Sequence, residues 1–369
     1  VTPRLLGRLL WGTLPGLCLA AEPPSTAEYC GRCHRAIHEA WKQSAHARAM
    51  ESRLFQDALE LAEQDFGPQS RKLCLGCHAP VAVRTGDLAL RQKVSWEGVT
   101  CEYCHSMREV VLAAGNPRAR IEFSPVKSGP LKDAVSGEHG VEYSPLHTSA
   151  LACAPCHEYN NALGFPVLTT FSEWRATQAG AAGQPCQACH MDRVAGEVVD
   201  PRIRRAREAR VNLHLMPGSH SIEQLTRTIT ARLSAVREGD QLKVTVEVAN
   251  RLAGHRVPTG SPLRQLQLTV SLESYDGRRL QDQRIYRRLA ADAQGRPLTL
   301  EHLVFVKAAK LVSDTRLGAG ERRTEVFLFA LPAGAPATVK ASLTYYYSPM
   351  ARQENQQRLT FLSLRRLVR

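Results

Sequence analysis

Ten of the eleven cysteines in this 369-residue chain fall into five copies of Cys-x-x-Cys-His. The copies are CGRCH (30–34), CLGCH (74–78), CEYCH (101–105), CAPCH (153–157) and CQACH (186–190). This spacing is the attachment signature of c-type haem. Two thiols add across the porphyrin vinyl groups, and the next residue turns its imidazole back to the iron. Cys30, Cys33, Cys74, Cys77, Cys101, Cys104, Cys153, Cys156, Cys186 and Cys189 are therefore the expected attachment points of five haems c. His34, His78, His105, His157 and His190 are the expected proximal iron ligands. Pairs of CxxC can also enclose zinc, and dense cysteines can form disulfides. Neither reading calls for a histidine after the second cysteine in all five copies.

The first residues carry Arg4 and Arg8 ahead of an apolar stretch, with small residues at Ala20 and Ala21. Residues 1–21 read as a secretory signal, which predicts an exported, periplasmic or otherwise extracytoplasmic protein. Gly12, Pro15 and Gly16 interrupt the stretch, which is too short to span a membrane. Cys18 lies inside it without a haem partner. No later segment is apolar for long enough to cross a bilayer. Export agrees with the chemistry, since c-type haem is attached outside the cytoplasm.

A formal charge of +13 is a first hint of an acidic partner such as nucleic acid. Haem propionates weaken that hint, because five oxidised haems remove about five charges and five reduced ones about ten. No zinc-finger or basic-helix pattern accompanies the charge, so no nucleic-acid partner is expected. Redox partner proteins are expected instead, and the oligomeric state stays open.

Two regions differ in periodicity. Residues 22–234 hold all five motifs. Their segments are short and helical where periodic, as over 36–64, with Gly-, Pro- and Ser-rich loops between them. Porphyrins take the place of a side-chain core there, as a structural metal does in small metal-binding domains. Residues 235–369 lack cysteine and alternate with period two over 241–250, 263–274, 322–331, 337–348 and 359–367. The fold class expected is a mostly α and irregular multihaem cytochrome c region followed by an all-β, sandwich-like domain.

The histidines outside the motifs decide what the irons can do. Eight remain: His38, His46, His139, His147, His214, His220, His255 and His302. Five bis-histidine irons need five distal imidazoles, so the supply suffices. His46, His139, His214 and His255 lead as distal ligands, with His220 and His147 as further candidates. His38 shares a helix face with His34 and cannot cap the same iron. His302 reads as an ordinary strand or surface residue. An iron with two imidazoles is saturated, which suits outer-sphere electron transfer. An iron lacking the sixth ligand could bind a small molecule.

The segments CGRCHRAIHEAWKQSAHARAM (30–50), SGEHGVEYSPLHTSALACAPCHEY (136–159) and CQACHM followed by LHLMPGSH (213–220) resemble multihaem cytochromes c. These are the group related to the tetrahaem cytochrome of ammonia oxidisers and, more distantly, to hydroxylamine oxidoreductase and pentahaem nitrite reductase. The likeness covers roughly 28–225. It implies distal ligation by His46, His139 and His214. GHRVPTG (254–260) looks like a segment of exported multihaem cytochromes with a β-sandwich tail, which implies the same for His255. The nitrite reductases carry a Cys-x-x-Cys-Lys haem, and this chain has none. The resemblance thus implies an electron-transfer protein. The alternative is a haem-based reductase or oxidase of a small nitrogen or sulfur species at one open iron.

Overall fold

A computed structural model describes residues 23–112, 115–203, 210–218, 221–347 and 357–369. The signal segment expected over 1–21, with Cys18, and the candidate ligand His220 lie outside the described residues.

The motifs form single helical turns, four of them ending short helices. Examples are Gln69–His78, Cys101–His105, Ala154–His157 and Gln187–His190. The bonds His34 N–H to Cys30 O (2.9 Å) and His190 N–H to Cys186 O (3.0 Å) close such a turn. Residues four apart share a helix face, so the first cysteine and the histidine project together.

The helical period expected over 36–64 is broken in the middle. Arg35–Lys42 ends at Gln43, and a new helix, Arg53–Phe66, starts at Ser52, whose hydroxyl accepts Phe55 N–H. Between them Ser44 Oγ accepts Ala47 N–H (3.1 Å), making a turn that carries His46. Phe55, Ala58, Leu59 and Ala62 form the buried stripe of the second helix.

This half is more mixed than the mostly α expectation. Its helices are separated by two-stranded ladders, Met107–Val111 with Arg118–Ile121, Val126–Gly129 with Gly140–Tyr143, Glu158–Asn160 with Pro166–Thr169, and Arg193–Ala195 with Arg210–Asn212. Each satisfies backbone groups of a loop beside a motif.

The long strands follow the period-two pattern. A three-stranded antiparallel sheet has the order Arg322–Ala330, Gln241–Asn250, Ile229–Glu238. A five-stranded one runs Lys310–Asp314, Arg279–Ala291, Arg264–Ser274, Ala337–Tyr347, Gln357–Val368. Leu242, Val244, Val246 and Val248 of the first share one apolar cluster with Leu266, Leu268, Val270, Leu272, Val339 and Leu343 of the second. Alternation puts every second residue into that cluster. The strand Ile229–Glu238 straddles the domain boundary expected at 234/235.

Candidate haem-binding site

A single cavity of about 2980 Å³ runs through the motif-bearing half and up to the sheets. All ten motif cysteines and all five motif histidines line it. One small-molecule pocket takes about 300–1,000 Å³, so this space suits several large groups side by side. Among the described residues, no three His, Cys, Asp or Glu side chains are arranged to hold a bare metal ion. A continuous hollow walled by vinyl-reactive thiols and imidazoles fits porphyrins. The thiols also order the motifs, with contacts of Cys30 to Cys101, Cys77 to Cys156 and Cys153 to Cys186.

The imidazoles come in pairs across the cavity. His34 and His139 have ring centres 6.3 Å apart, His46 and His157 6.2 Å, His105 and His214 6.3 Å, and His190 and His255 6.3 Å. Two metal–imidazole bonds of about 2.0–2.1 Å, each with about 1.1 Å from nitrogen to ring centre, separate trans imidazoles by about 6.2–6.4 Å. All four spacings suit one iron between two rings.

His78 differs. The ring against it is Phe55, stacked at 3.9 Å and 14°. Enclosure pushes His46 and His78 down to about 4, and His105 and His157 to about 3. These rings are neutral at pH 7, the form that can bind a metal.

Backbone carbonyls orient most of the rings. His34 Nδ1 meets Val198 O, His105 Nδ1 meets Ser128 O and His190 Nδ1 meets Pro217 O, each at 2.7 Å. His139 Nδ1 meets Gly140 O at 2.9 Å, while His214 meets Asn212 O and His255 meets Arg256 O at 2.8 Å. An imidazole whose Nδ1–H is so held presents Nε2 as its lone pair.

The other histidines are placed differently. His147 lies 5.2 Å from His105, but its Nε2 faces Cys104 O at 3.0 Å. His38 packs over Gly31, where an added Cβ would come within 2.6 Å of its ring, and beside Trp41. Buried His302 meets Asp65 Oδ2 at 2.9 Å.

Residues 29–106 match the family described as cytochrome c554 and c-prime. Over 108 residues, 27% of this chain, the sequence is 33% identical to the cytochrome c-554 of Nitrosomonas europaea. That match spans 46% of the relative's length. In fold, the chain is similar to the crystal structure of a penta-heme cytochrome c552 from Thermochromatium tepidum. The TM-score is 0.74 at 23% identity, covering 94% of this chain and 100% of that one. Together these support a multihaem cytochrome c. The likeness is one of sequence around 29–106 and one of fold over nearly the whole chain.

Several contacts that position the site carry no signal in the sequence. Trp41 donates its indole N–H to Val99 O (2.9 Å), and Val99 N–H donates to His46 O (3.0 Å), so the turn bearing His46 is pinned to 98–99. Gly98 makes this approach possible. Its φ is +68°, and a Cβ there would stand 2.2 Å from His46 O. Gly98→Ala is expected to cost about 1–2 kcal/mol in left-handed strain alone, with the clash adding to it. A denaturation midpoint should fall, and the His46 turn should shift in the amide exchange pattern. An unchanged midpoint would contradict this account.

Glu173 holds the loop of His255. It accepts from Arg256 N–H (3.2 Å) and Thr259 Oγ1 (2.9 Å), and pairs with buried Arg316 at 2.8 Å. Thr177 Oγ1 bonds Gly254 O, and Asn250 Nδ2 bonds His255 O (3.0 Å). A backbone carbonyl or a distant carboxylate leaves no motif, which is why these contacts were not legible.

Proposed function

We propose that the chain is an exported electron-transfer protein holding five haems c, four of them closed by two histidines and one open. The observation that carries this reading is the set of four imidazole pairs at 6.2–6.3 Å. Haem c, when bound, supplies reversible one-electron chemistry. The ten motif cysteines tether it. His34 with His139, His46 with His157, His105 with His214, and His190 with His255 close four irons, and His147 is left out of the ligand set. The carbonyls of 128, 140, 198, 212, 217 and 256 hold the rings in register. Export rests on the pattern of residues 1–21 and on where c-type haem is attached. Among the described residues, no helix is long and apolar enough to cross a membrane.

Motif contacts support a relay path. Cys77 with Cys156, and Cys153 with Cys186, bring the second, fourth and fifth motifs into one row, while Cys30 with Cys101 joins the first to the third. Neighbouring tethers keep redox centres close, as tunnelling needs. Docking a redox partner protein completes the task.

A second reading has its own observation. Among the described residues, which do not include His220, no imidazole stands across from His78, where Phe55 is stacked instead. One iron open to a small nitrogen or sulfur species would make the protein a reductase or oxidase there. Paramagnetic resonance of the oxidised protein is expected to give four low-spin irons and one high-spin iron. Carbon monoxide should bind one haem in five after reduction. A wholly low-spin spectrum without carbon monoxide binding would remove the open site, and two or more high-spin irons would break the pairing.

A further inference from the structure

The ring nitrogen that does not face the cavity is treated unlike the others in one of the four pairs. Six paired imidazoles, His34, His105, His139, His190, His214 and His255, bring Nδ1 to a backbone carbonyl at 2.7–2.9 Å. His46 brings its Nδ1 to the thioether of Met216, at 2.9 Å. For its partner His157, no hydrogen-bond acceptor is found among the described residues. A carbonyl is a strong acceptor and a thioether a weak one. Donation from Nδ1–H to a strong acceptor raises the basicity of Nε2, which favours ferric iron and lowers a haem's potential. The His46/His157 pair lacks that push on both sides.

The backbone at Met216 points the same way. Met216 sits at φ +45°, a left-handed conformation that bulky residues rarely adopt, immediately before Pro217. Strain of this kind persists where the surroundings over-determine it, and it gathers at functional sites. The same stretch serves two other pairs, since Asn212 O holds His214 and Pro217 O holds His190. The bland alternative is packing, because Met216 also lies against the buried cluster of Ala27, Trp41 and Ala47.

We propose that Met216 is a positioning residue that withholds a strong acceptor from His46, making the haem of motif 153–157 the highest in potential of the four closed ones. That haem is tethered by Cys153 and Cys156, whose thiols contact the fifth and second motifs respectively. An electron entering from either side comes to rest there first. The proposal rests on the pairing of His46 with His157.

Spectroelectrochemical titration of the full, haem-loaded protein, followed by paramagnetic resonance, tests it. His46→Ala identifies the low-spin signal that belongs to this pair, and that signal should be the first of the four to be reduced in the unaltered protein. Met216→Gln supplies a carbonyl acceptor of similar reach and should move that one midpoint to lower potential, with the other closed haems unmoved. Met216→Leu keeps the packing without an acceptor and should leave the midpoint in place or raise it. A packing role would instead make the leucine and glutamine variants shift alike, or not at all, and either result overturns the proposal. So does reduction of another low-spin haem first. If His46→Ala alters no spin state, the pairing itself falls and this proposal with it. A lost signal together with unmoved Met216 variants overturns the proposal alone.

Discussion

With Cys153→Ser and Cys156→Ser together, the motif-bearing half is expected to lose its fold while the long-stranded sheets keep theirs. The reason is volume. A fifth of the 2980 Å³ cavity is about 600 Å³. At about 24 cal/mol per Å³, a hole of that size would cost about 14 kcal/mol if nothing collapsed. Whole domains are stable by about 5–15 kcal/mol. The side-chain cluster at the second motif is small, built on Met50, Phe55, Leu59, Leu75 and Leu90. It has little to offset such a loss. The sheets are different, because Leu242 to Val248 and Leu266 to Leu272 pack directly on each other in one side-chain cluster. Circular dichroism and limited proteolysis should find a protected fragment beginning near Ile229 and a degraded amino-terminal half. A variant with four haems and an unaltered thermal midpoint would refute the account.

Glu173→Ala is expected to lower stability by about 2–4 kcal/mol, short of the full penalty for halving a buried ion pair because Arg316 keeps a second carboxylate. Arg316 and Glu173 are both buried, 5% and 9% exposed at the side chain, and Asp314 is that second partner at 2.8 Å. Arg316 holds Asp314 below the usual carboxylate range, even though partial burial pushes the other way. The same carboxylate of Glu173 also fastens Arg256 N–H and Thr259, on either side of the stretch that follows His255. Its loss should therefore free His255 and add a high-spin iron at His190. Glu173→Gln keeps the hydrogen-bond acceptor and should retain the low-spin count while still losing stability. If the alanine variant retains both its stability and its low-spin count, Glu173 is not the clamp.

The five motifs were legible because everything they require lies within five residues of chain. Two thiols and an imidazole must share one helical turn, and bonds such as His190 N–H to Cys186 O supply it. The sheets were legible for a similar reason, since alternation as in 241–250 is a local consequence of the pleat. Less of the amino-terminal half could be read. A periodic stretch over 36–64 looks helical, but the indole bond of Trp41 to Val99 O and the Ser44 turn break it at the point where His46 must face inward. The small ladders that border the motifs were not foreseen, because strands of three to five residues take their stability from neighbours rather than from their own pattern.

The histidines mark the division most clearly. Their number was enough for closure of every iron, with His214 placed ahead of His147 as a candidate. The folded chain supports that order, by aiming His147 Nε2 at Cys104 O and by holding His214 through Asn212 O at 6.3 Å from His105. It also sets Phe55, which no motif marks, against His78. The sequence by itself determined the five motifs, with two thiols and one imidazole in each, since their geometry is a short-range demand on adjacent residues. Tertiary structure decided which second imidazole faces each of four motif histidines, because such a pair requires distant segments to meet at a spacing of 6.2–6.3 Å, and packing between them sets that distance.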